Sequence, residues 1–277
     1  MIELKDLHYG YYKHQPVLRG LSLRLPEGHV YGLLGKNGVG KSTLLKILCG
    51  SLTGEGEYTL DGFDPRRQNP QMLERLRLVP ETERILPVTI ESLAQVTAPF
   101  YPTWDGEIFE SALTEFQVPR NNQLTTLSLG QQKKALISLS LACNTPYLLM
   151  DEPTNGMDIP SKSIFRRLVA SICDGSKTVL ISTHQVDDID SLIDGVVILE
   201  NEGVLLNASL DEVAARLAFR RAEKDDEVLL TESSPIGPWS VVVRRPDEPE
   251  TSVNMKMLFN AVISHKSRIR SLFSDKA

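Results

Sequence analysis

Residues 35–42 read Gly-Lys-Asn-Gly-Val-Gly-Lys-Ser and match the phosphate-binding pattern G-x-x-x-x-G-K-[ST]. The glycines let the backbone curl so that its N–H groups point inward at phosphate oxygens. The helix that follows such a loop directs its positive end at the same place. An apolar strand, Val30–Leu34, precedes the pattern, and a helical run, Ser42–Cys49, follows it. This context favours a phosphate site over a plain glycine-rich turn before a helix.

Each residue of the loop has a predicted role. The ammonium group of Lys41 should reach the β- and γ-phosphates, and the hydroxyl of Ser42 should ligate Mg²⁺. The other predicted nucleotide-binding residues are Gly35, Lys36, Asn37, Gly38, Val39, Gly40 and Thr43.

A second candidate site lies where the apolar run Leu148–Met150 ends in two carboxylates, Asp151 and Glu152. In a phosphate-loop enzyme the acid at the end of a parallel strand lies beside the loop, so Asp151 can hold Mg²⁺. Side chains alternate along a strand, so Glu152 points elsewhere and could orient or deprotonate an attacking water. The alternative is a solvated strand end.

A third candidate is Leu127-Ser128-Leu129-Gly130-Gln131, directly before the helical run Gln132–Cys143. The start of a helix presents free N–H groups, and here a serine hydroxyl as well, which together can bind an anion. Taken alone, the segment is equally typical of an ordinary helix N-cap.

The elements that must position these residues alternate between strand and helix, which predicts an α/β fold with a mostly parallel sheet. Residues 54–62 have the glycine-bounded pattern of a hairpin, and Asn201-Glu202-Gly203 that of a turn. The remaining predicted strands are Ile2–Tyr9, Val17–Leu25, Leu76–Val79, Tyr147–Met150, Thr178–Ser182 and Val196–Glu200, and the helices are Pro160–Ile172 and Val186–Ile193.

Two regions depart from this alternation. Residues 85–145 carry mainly helical patterns interrupted by prolines, and we interpret them as a helical insertion in a domain of residues 1–216. Residues 217–277 form a C-terminal extension with short strands at Val228–Leu230 and Ser240–Val243. Its end, Ser252–Phe273, has the apolar spacing of one amphipathic helix. The alternative for this extension is a partly disordered tail.

Composition excludes several classes. Of the 277 residues, 41% are hydrophobic and 24% charged, which is typical of a globular protein rather than a disordered one. With 30 basic and 36 acidic residues the net charge is −6, which disfavours a general nucleic-acid binder. The three cysteines lack metal-ligand spacing and are interpreted as buried thiols. No apolar run approaches the length of a membrane span, and no secretory leader pattern is visible, so we expect a cytoplasmic protein.

Taken together in chain order, the motifs at residues 35–42, 127–131 and 151–152 resemble those of the ABC-type ATPases. The resemblance extends from about residue 2 to about residue 215. Residues 127–131 resemble the family's signature, usually Leu-Ser-Gly-Gly-Gln, and Asp151-Glu152-Pro153-Thr154 matches its second nucleotide motif. Residues 155–158, Asn-Gly-Met-Asp, match the loop that follows. Ile181-Ser182-Thr183-His184 places His184 at the family's switch histidine.

This resemblance implies ATP and Mg²⁺ as ligands, hydrolysis involving Glu152, His184 and Lys41, and a head-to-tail dimer. Ser128 and the N–H groups of Leu129, Gly130 and Gln131 would contact the γ-phosphate of ATP held by the other subunit, and His184 would contact it within its own. An aromatic residue is expected to stack on adenine. Counting back from the second strand favours Tyr12, and counting forward from the first favours Tyr11.

Two residues depart from the family pattern. Leu129 replaces a glycine, so a positive φ would be disfavoured there. Glu81 follows Pro80 where the family usually has glutamine, and it can serve as a charged ligand for Mg²⁺. In the absence of nucleotide we expect Glu81, Asp151 and Glu152 to repel one another and to favour an open arrangement.

Pro80-Glu81 and the stretch Phe100–Asp105 resemble the detached ATPase subunits of bacterial multi-subunit exporters. The predicted protein is therefore a phosphate-loop NTPase with a mostly parallel sheet, an antiparallel β subdomain, a helical insertion and a small C-terminal extension. Its predicted partners are a transmembrane permease, which would hold it at the inner face of the membrane, and a second ATPase subunit. A soluble assembly ATPase of the same family is the alternative, and the signature and His184 disfavour a small-molecule kinase.

Overall fold

The structure is a computed structural model that describes residues 1–12, 14–82, 84–201, 203–234 and 237–274. In chain order its strands are β1 (Ile2–Tyr12), β2 (Gln15–Leu25), β3 (Val30–Leu34), β4 (Glu55–Leu60), β5 (Leu76–Val79), β6 (Tyr147–Asp151), β7 (Thr178–Thr183), β8 (Gly195–Glu200), β9 (Gly203–Ser209), β10 (Leu217–Arg220), β11 (Val228–Ser234) and β12 (Gly237–Val243). Its α-helices are α1 (Lys41–Leu48), α2 (Pro70–Leu73), α3 (Ile90–Thr97), α4 (Gly106–Glu115), α5 (Leu129–Ala142), α6 (Ile159–Ile172), α7 (Leu210–Arg216), α8 (Met255–Ser264) and α9 (Lys266–Phe273).

A six-stranded sheet in the order β5-β6-β7-β3-β8-β9 forms the centre of the fold, as the alternation of strands and helices predicts. All neighbouring pairs are parallel except β8 with β9. The carboxyl ends of β3, β6 and β7 meet at one edge because these strands are parallel. That edge carries the phosphate loop, the Asp151-Glu152 pair and His184.

Two apolar cores lie on opposite faces of this sheet, because side chains alternate along each strand. On β6, Leu148 and Met150 face one core, and Tyr147 and Leu149 face the other. The first core holds the helical insertion with α5 and α6, together with the C-terminal elements. The second lies under β1, β2 and α1.

An antiparallel sheet in the order β2-β1-β4 forms the predicted β subdomain. The hairpin predicted at residues 54–62 is wrong. This segment is one strand, β4, which pairs with β1 from Ile2↔Leu60 to His8↔Glu55. Gly54 directly precedes this strand and Gly62 lies in the turn after it, so the two glycines do not bound a hairpin.

The helix predicted at Val186–Ile193 is also wrong, since only a 3₁₀ turn forms, at Val186–Asp188. The carboxylate of Asp188 accepts hydrogen bonds from Thr154 Oγ1 at 2.7 Å and Lys162 Nζ at 2.9 Å. Ile189 and Ile193 are buried, so the apolar pattern reflects tertiary burial of an irregular segment. In the turn predicted at residues 201–203, Glu202 lies outside the described residues.

The C-terminal extension is folded over its described residues. A three-stranded antiparallel sheet, in the order β10-β12-β11, packs against α8, and α9 packs on β9 of the central sheet. The single final helix predicted at Ser252–Phe273 is wrong, because the chain breaks at His265 between α8 and α9. Leu258 and Ile269, one on each helix, are fully buried in the first core.

Among the described residues, none of the helices has both the length and the apolar character that a membrane crossing requires.

Candidate nucleotide site

A cleft of about 490 Å³ opens at the edge where β3, β6 and β7 end. Its lining combines the phosphate loop with residues from the loops after β5, β6 and β7. The lining residues are Tyr11, Val17, Asn37, Gly38, Gly40, Lys41, Ser42, Thr43, Glu81, Glu152, Asn155 and His184.

The shape of the phosphate loop depends on two glycines. Gly38 has φ 82° and Gly40 φ 107°, values in the left-handed region that glycine tolerates best. A Cβ on Gly40 would also lie 2.7 Å from the side chain of Leu18. Gly40 is the N-cap of α1, so the free N–H groups of that helix face the cleft.

Lys41 lies buried across the loop. Its Nζ donates hydrogen bonds to the carbonyls of Gly35 at 2.7 Å and Lys36 at 3.3 Å, and lies 3.8 Å from Glu152 Oε1. Burial lowers the pKa of Lys41, and the carboxylates of Glu152, Asp151 and Glu81 partly oppose this shift. The ammonium group is therefore fixed where phosphate charge would stabilise it.

Of the remaining loop residues, Val39 is buried in the second core and offers only its backbone to a ligand. Thr43 is also buried, and its hydroxyl lies 3.2 Å from Tyr11 Oη. Lys36 is exposed, and Ser42 is half-buried in the lining of the cleft.

Asp151 ends β6 and Glu152 follows the strand, and the two carboxylates have different partners. Asp151 is buried and accepts a hydrogen bond from Ser182 Oγ at 2.5 Å. Glu152 enters the cleft, with its Oε1 2.8 Å from His184 Nδ1 and its Oε2 3.2 Å from Thr183 Oγ1. Glu152 and His184 therefore form a pair that the sequence did not predict.

The backbone at Glu152 is unusual. Its φ is 46°, a conformation that few non-glycine residues adopt. The N–H of Glu152 donates to the carbonyl of Ser182 at 3.0 Å, which ties the turn after β6 to β7. This turn is what aims the carboxylate at the cleft.

Lys133 on α5 is a site residue that sequence reasoning missed. Its Nζ donates to the carbonyls of Glu152 at 2.6 Å and Asn155 at 3.3 Å. Burial lowers the pKa of Lys133, and the carboxylates of Glu81, Glu152 and Asp151 oppose this shift. No sequence pattern would have revealed this contact, because Lys133 is a single basic residue within a helix.

The ammonium groups of Lys41 and Lys133 change the expectation that three carboxylates of the site repel one another. Glu81 and Glu152 both line the cleft, and the carboxylates of Glu81, Asp151 and Glu152 all act electrostatically on Lys41 and Lys133. The predicted repulsion is therefore offset by two positive charges.

The signature residues lie elsewhere. Ser128 caps α5 in a capping box, with Gln131 N–H donating to Ser128 Oγ at 3.3 Å and Ser128 N–H to Gln131 Oε1 at 3.1 Å. Leu129 is the first residue of α5 and has no positive φ, so its replacement of glycine strains nothing. Its side chain is 84% exposed. Among the described lining residues of the cleft, none belongs to 128–131.

The aromatic residue in the cleft is Tyr11, the residue given by counting forward from β1. Tyr12, which counting back from β2 favoured, is 73% exposed and does not line the cleft. The chain is irregularly paired between Tyr9 and Tyr12, which upsets counting from the second strand. Stacking on adenine stays a prediction, and the geometry now assigns it to Tyr11.

The predicted metal ligands fit Mg²⁺ in kind, since Ser42, Asp151 and Glu81 offer hard oxygen donors. Ser42 and Glu81 line the cleft, and Asp151 is the strand-end neighbour of Glu152. Glu81 Oε1 also accepts from Asn155 Nδ2 at 3.4 Å. The described residues contain no group of three or more His, Cys, Asp or Glu side chains that could hold a metal alone. Phosphate oxygens and water would therefore complete the coordination.

Comparisons with known proteins identify the family of this chain. The ABC transporter family model matches residues 18–155. The ABC transporter ATP-binding protein NatA of Bacillus subtilis is 29% identical over 224 residues, covering 77% of this chain and 91% of that protein. YtrB of the same organism, also described as an ABC transporter ATP-binding protein, is 26% identical over 216 residues, 77% of this chain and 73% of its own.

A solved structure described as the ATP binding subunit of an ABC transporter superposes with a TM-score of 0.69 at 25% identity. The match covers 77% of this chain and 91% of that one. Together with a cleft that combines the phosphate loop with Glu152 and His184, these similarities show that this chain belongs to the ATP-hydrolysing, ATP-binding subunits of the ABC transporter family.

Proposed function

We propose that this chain hydrolyses ATP to drive a separate membrane permease in export, working in a head-to-tail pair with a second ATPase subunit. One observation carries the pairing: the capped N-terminus of α5 is exposed and lies outside the chain's own cleft. The start of α5 presents free N–H groups and the Ser128 hydroxyl, which together can bind an anion. A phosphate bound in this chain's own cleft would not contact them, because residues 128–131 do not line that cleft. A second subunit would supply that anion as the γ-phosphate of its ATP.

The chemistry follows from the cleft. Lys41 binds the β- and γ-phosphate oxygens and neutralises their charge. Glu152 orients the attacking water and accepts its proton, and His184, 2.8 Å from the carboxylate, holds Glu152 in place. Mg²⁺ held by Ser42 and Asp151, with Glu81 as a further ligand, would neutralise phosphate charge. Tyr11 stacks on the adenine ring.

The helical insertion offers a surface for the permease. Val96 at the end of α3 is 67% exposed, and Phe100 four residues later is 68% exposed. Both side chains are large, apolar and mostly exposed, and contiguous exposed apolar surface is typical of a contact with another protein. We propose that these two residues dock on the permease, which places the chain at the cytoplasmic face of the membrane.

Export is the finer part of the proposal and rests on the resemblance of Pro80-Glu81 and Phe100–Asp105 to exporter subunits. The fate of the transported compound in inverted vesicles would test it, since export in the cell becomes ATP-driven uptake into such vesicles. ATP-driven loss of a preloaded compound would instead indicate import.

The docking proposal is tested by co-expression with a candidate membrane permease from the same genome. We expect the chain to sediment with the membranes, and Phe100→Glu to release it while ATP hydrolysis in solution is kept. Val228→Glu is the matched control, because Val228 is a 42% exposed apolar side chain on β11 of the extension, outside the helical insertion. If Phe100→Glu stays with the membranes as fully as the control, the insertion is not the docking surface.

A further inference from the structure

Lys133 links two parts of the molecule that the proposed function treats separately. It lies on α5, whose N-terminus carries the signature residues, and its ammonium group reaches the turn after β6. The two carbonyls that it binds, those of Glu152 and Asn155, are the two ends of that turn. A further bond, from Asn155 N–H to the carbonyl of Glu152 at 3.2 Å, closes the turn.

This turn needs external support. Glu152 has φ 46°, a conformation that a non-glycine residue keeps only where its surroundings hold it. Its N–H is held by Ser182 on β7, and its carbonyl is held by Lys133. The backbone is thereby fixed from both sides, and the carboxylate is left to contact His184 and Thr183 in the cleft.

The position of the ammonium group also has an electrostatic reason. Burial lowers the pKa of Lys133, and the carboxylates of Glu81, Glu152 and Asp151 oppose this shift by favouring its charged form. Asn155, whose carbonyl binds Lys133, also donates to Glu81 through its side chain. Lys133 is thus placed where a charged donor can bind carbonyl oxygens and balance carboxylates at once.

We propose that Lys133 is a positioning residue for ATP hydrolysis, which holds the Glu152 turn in its left-handed conformation and ties it to the N-terminus of α5. The proposal rests on the proposed role of Glu152. Because α5 would carry the second subunit's phosphate at its N-terminus, a shift of this helix would move the carbonyls of residues 152 and 155 with it. Binding of the second subunit's phosphate at the N-terminus of α5 would then set the geometry of Glu152 in this chain's own cleft.

The test compares full-length Lys133→Met with Lys134→Met, which removes the same charge one residue further along α5, near Asp158. We expect Lys133→Met to lower kcat about 10- to 100-fold, the scale of a misplaced catalytic group. Affinity for MgATP and the melting temperature should stay close to wild type. Lys133→Arg keeps a charged donor and should recover most of the turnover, and Lys134→Met should resemble wild type.

The Glu152→Gln background separates this proposal from the role of Glu152. There, Lys133→Met should lower turnover no further, because the group that Lys133 positions has already lost its function. If Glu152→Gln turns over like wild type, the proposed role of Glu152 fails. If Glu152→Gln is inactive but Lys133→Met has normal kcat, the Lys133 proposal alone fails. A loss of turnover accompanied by an equal loss of ATP affinity, or by unfolding, would make Lys133 merely structural and would also overturn it.

Discussion

At the scale of single residues, the carboxylate of Glu152 is buried and contacts side chains from several elements. Its two oxygens lie within hydrogen-bond distance of His184 and Thr183, and Lys41 lies 3.8 Å away. These contacts fix a buried carboxylate at the mouth of the cleft rather than in solvent. Glu152 is thus placed for proton transfer, while Lys41 is placed for binding.

We therefore expect Glu152→Gln to lose turnover and keep ATP affinity. The amide preserves the size of the side chain but cannot accept the proton of the attacking water. Single-turnover hydrolysis and equilibrium binding of a fluorescent ATP analogue measure the two properties separately. Lys41→Met should instead lose ATP affinity together with turnover, because its ammonium group is placed to bind phosphate. Wild-type turnover in Glu152→Gln would remove Glu152 from the mechanism.

Glu81 is the second residue of the cleft whose contacts lead to a testable prediction. It lines the cleft and accepts a hydrogen bond from the side chain of Asn155. Its negative charge also opposes the lowering of the pKa of Lys41 and Lys133 by burial. Glu81→Gln restores the usual residue of the family and removes one of three carboxylates.

We expect Glu81→Gln to shift the Mg²⁺ dependence of turnover to higher metal concentration, because an amide is a weaker ligand for a hard cation than a carboxylate. Metal-free nucleotide affinity should change by no more than a few fold. Titration of ATP turnover with Mg²⁺ at fixed ATP checks this. Superimposable titration curves for the variant and the wild type would show that Glu81 is not a ligand.

At the scale of elements, α8 joins the C-terminal extension to the ATPase core. Its residues Met255, Met257, Leu258, Ala261 and Val262 are buried and belong to the same apolar core as α5 and α6. The extension therefore shares the core of the domain, and its apolar stripe is covered within this chain.

Leu258→Ala should lower the free energy of unfolding by about 2–5 kcal/mol, the usual range for a fully buried leucine that leaves a cavity. Denaturant unfolding followed by circular dichroism measures this effect. Lys256→Ala, at an exposed position of the same helix, should change stability by less than about 0.5 kcal/mol. ATP affinity should stay unchanged in both variants, since α8 does not line the cleft. A stability change as small as that of the control would show that α8 packs only loosely.

At the scale of the whole molecule, the phosphate loop and the signature lie on the same chain but do not meet. The exposed Leu129 at the start of α5 and the exposed Ile159 at the start of α6 are large apolar side chains beside loops of the site. Gly130, which follows Leu129 on α5, and Gly156, in the loop before α6, lie close enough that a Cβ on Gly130 would be 3.5 Å from the carbonyl oxygen of Gly156. These exposed groups are what a second subunit would cover.

We expect Glu152→Gln with MgATP to elute as a dimer in size-exclusion chromatography and as a monomer without nucleotide. Blocked hydrolysis leaves two bound nucleotides to stabilise the pair. Adding Leu129→Glu should abolish the dimer by placing a negative charge at the anion-binding helix end. The monomer's melting temperature should be kept, because Leu129 is 84% exposed. A dimer that persists in the double variant would place the interface elsewhere.

The sequence by itself determined those candidate site residues that depend only on the conformation of consecutive residues. The phosphate loop, the end of β6 and the Ser128 cap are each read from consecutive residues, because turns, strand alternation and helix capping are local properties. The strand Leu76–Val79 was predicted with the bounds that the structure has. Local patterns failed where tertiary contacts decide: at Val186–Ile193, at the hairpin of residues 54–62, and at the break at His265.

Only the tertiary structure decided how these local pieces combine. It paired Glu152 with His184, chose Tyr11 over Tyr12 for the cleft, and brought Lys133 to the carbonyls of the Glu152 turn. Each of these contacts joins residues from different elements, and their distance depends on the register of the sheet and the packing of α5. No local pattern encodes such a distance, because it arises from how the apolar faces of separate elements pack together.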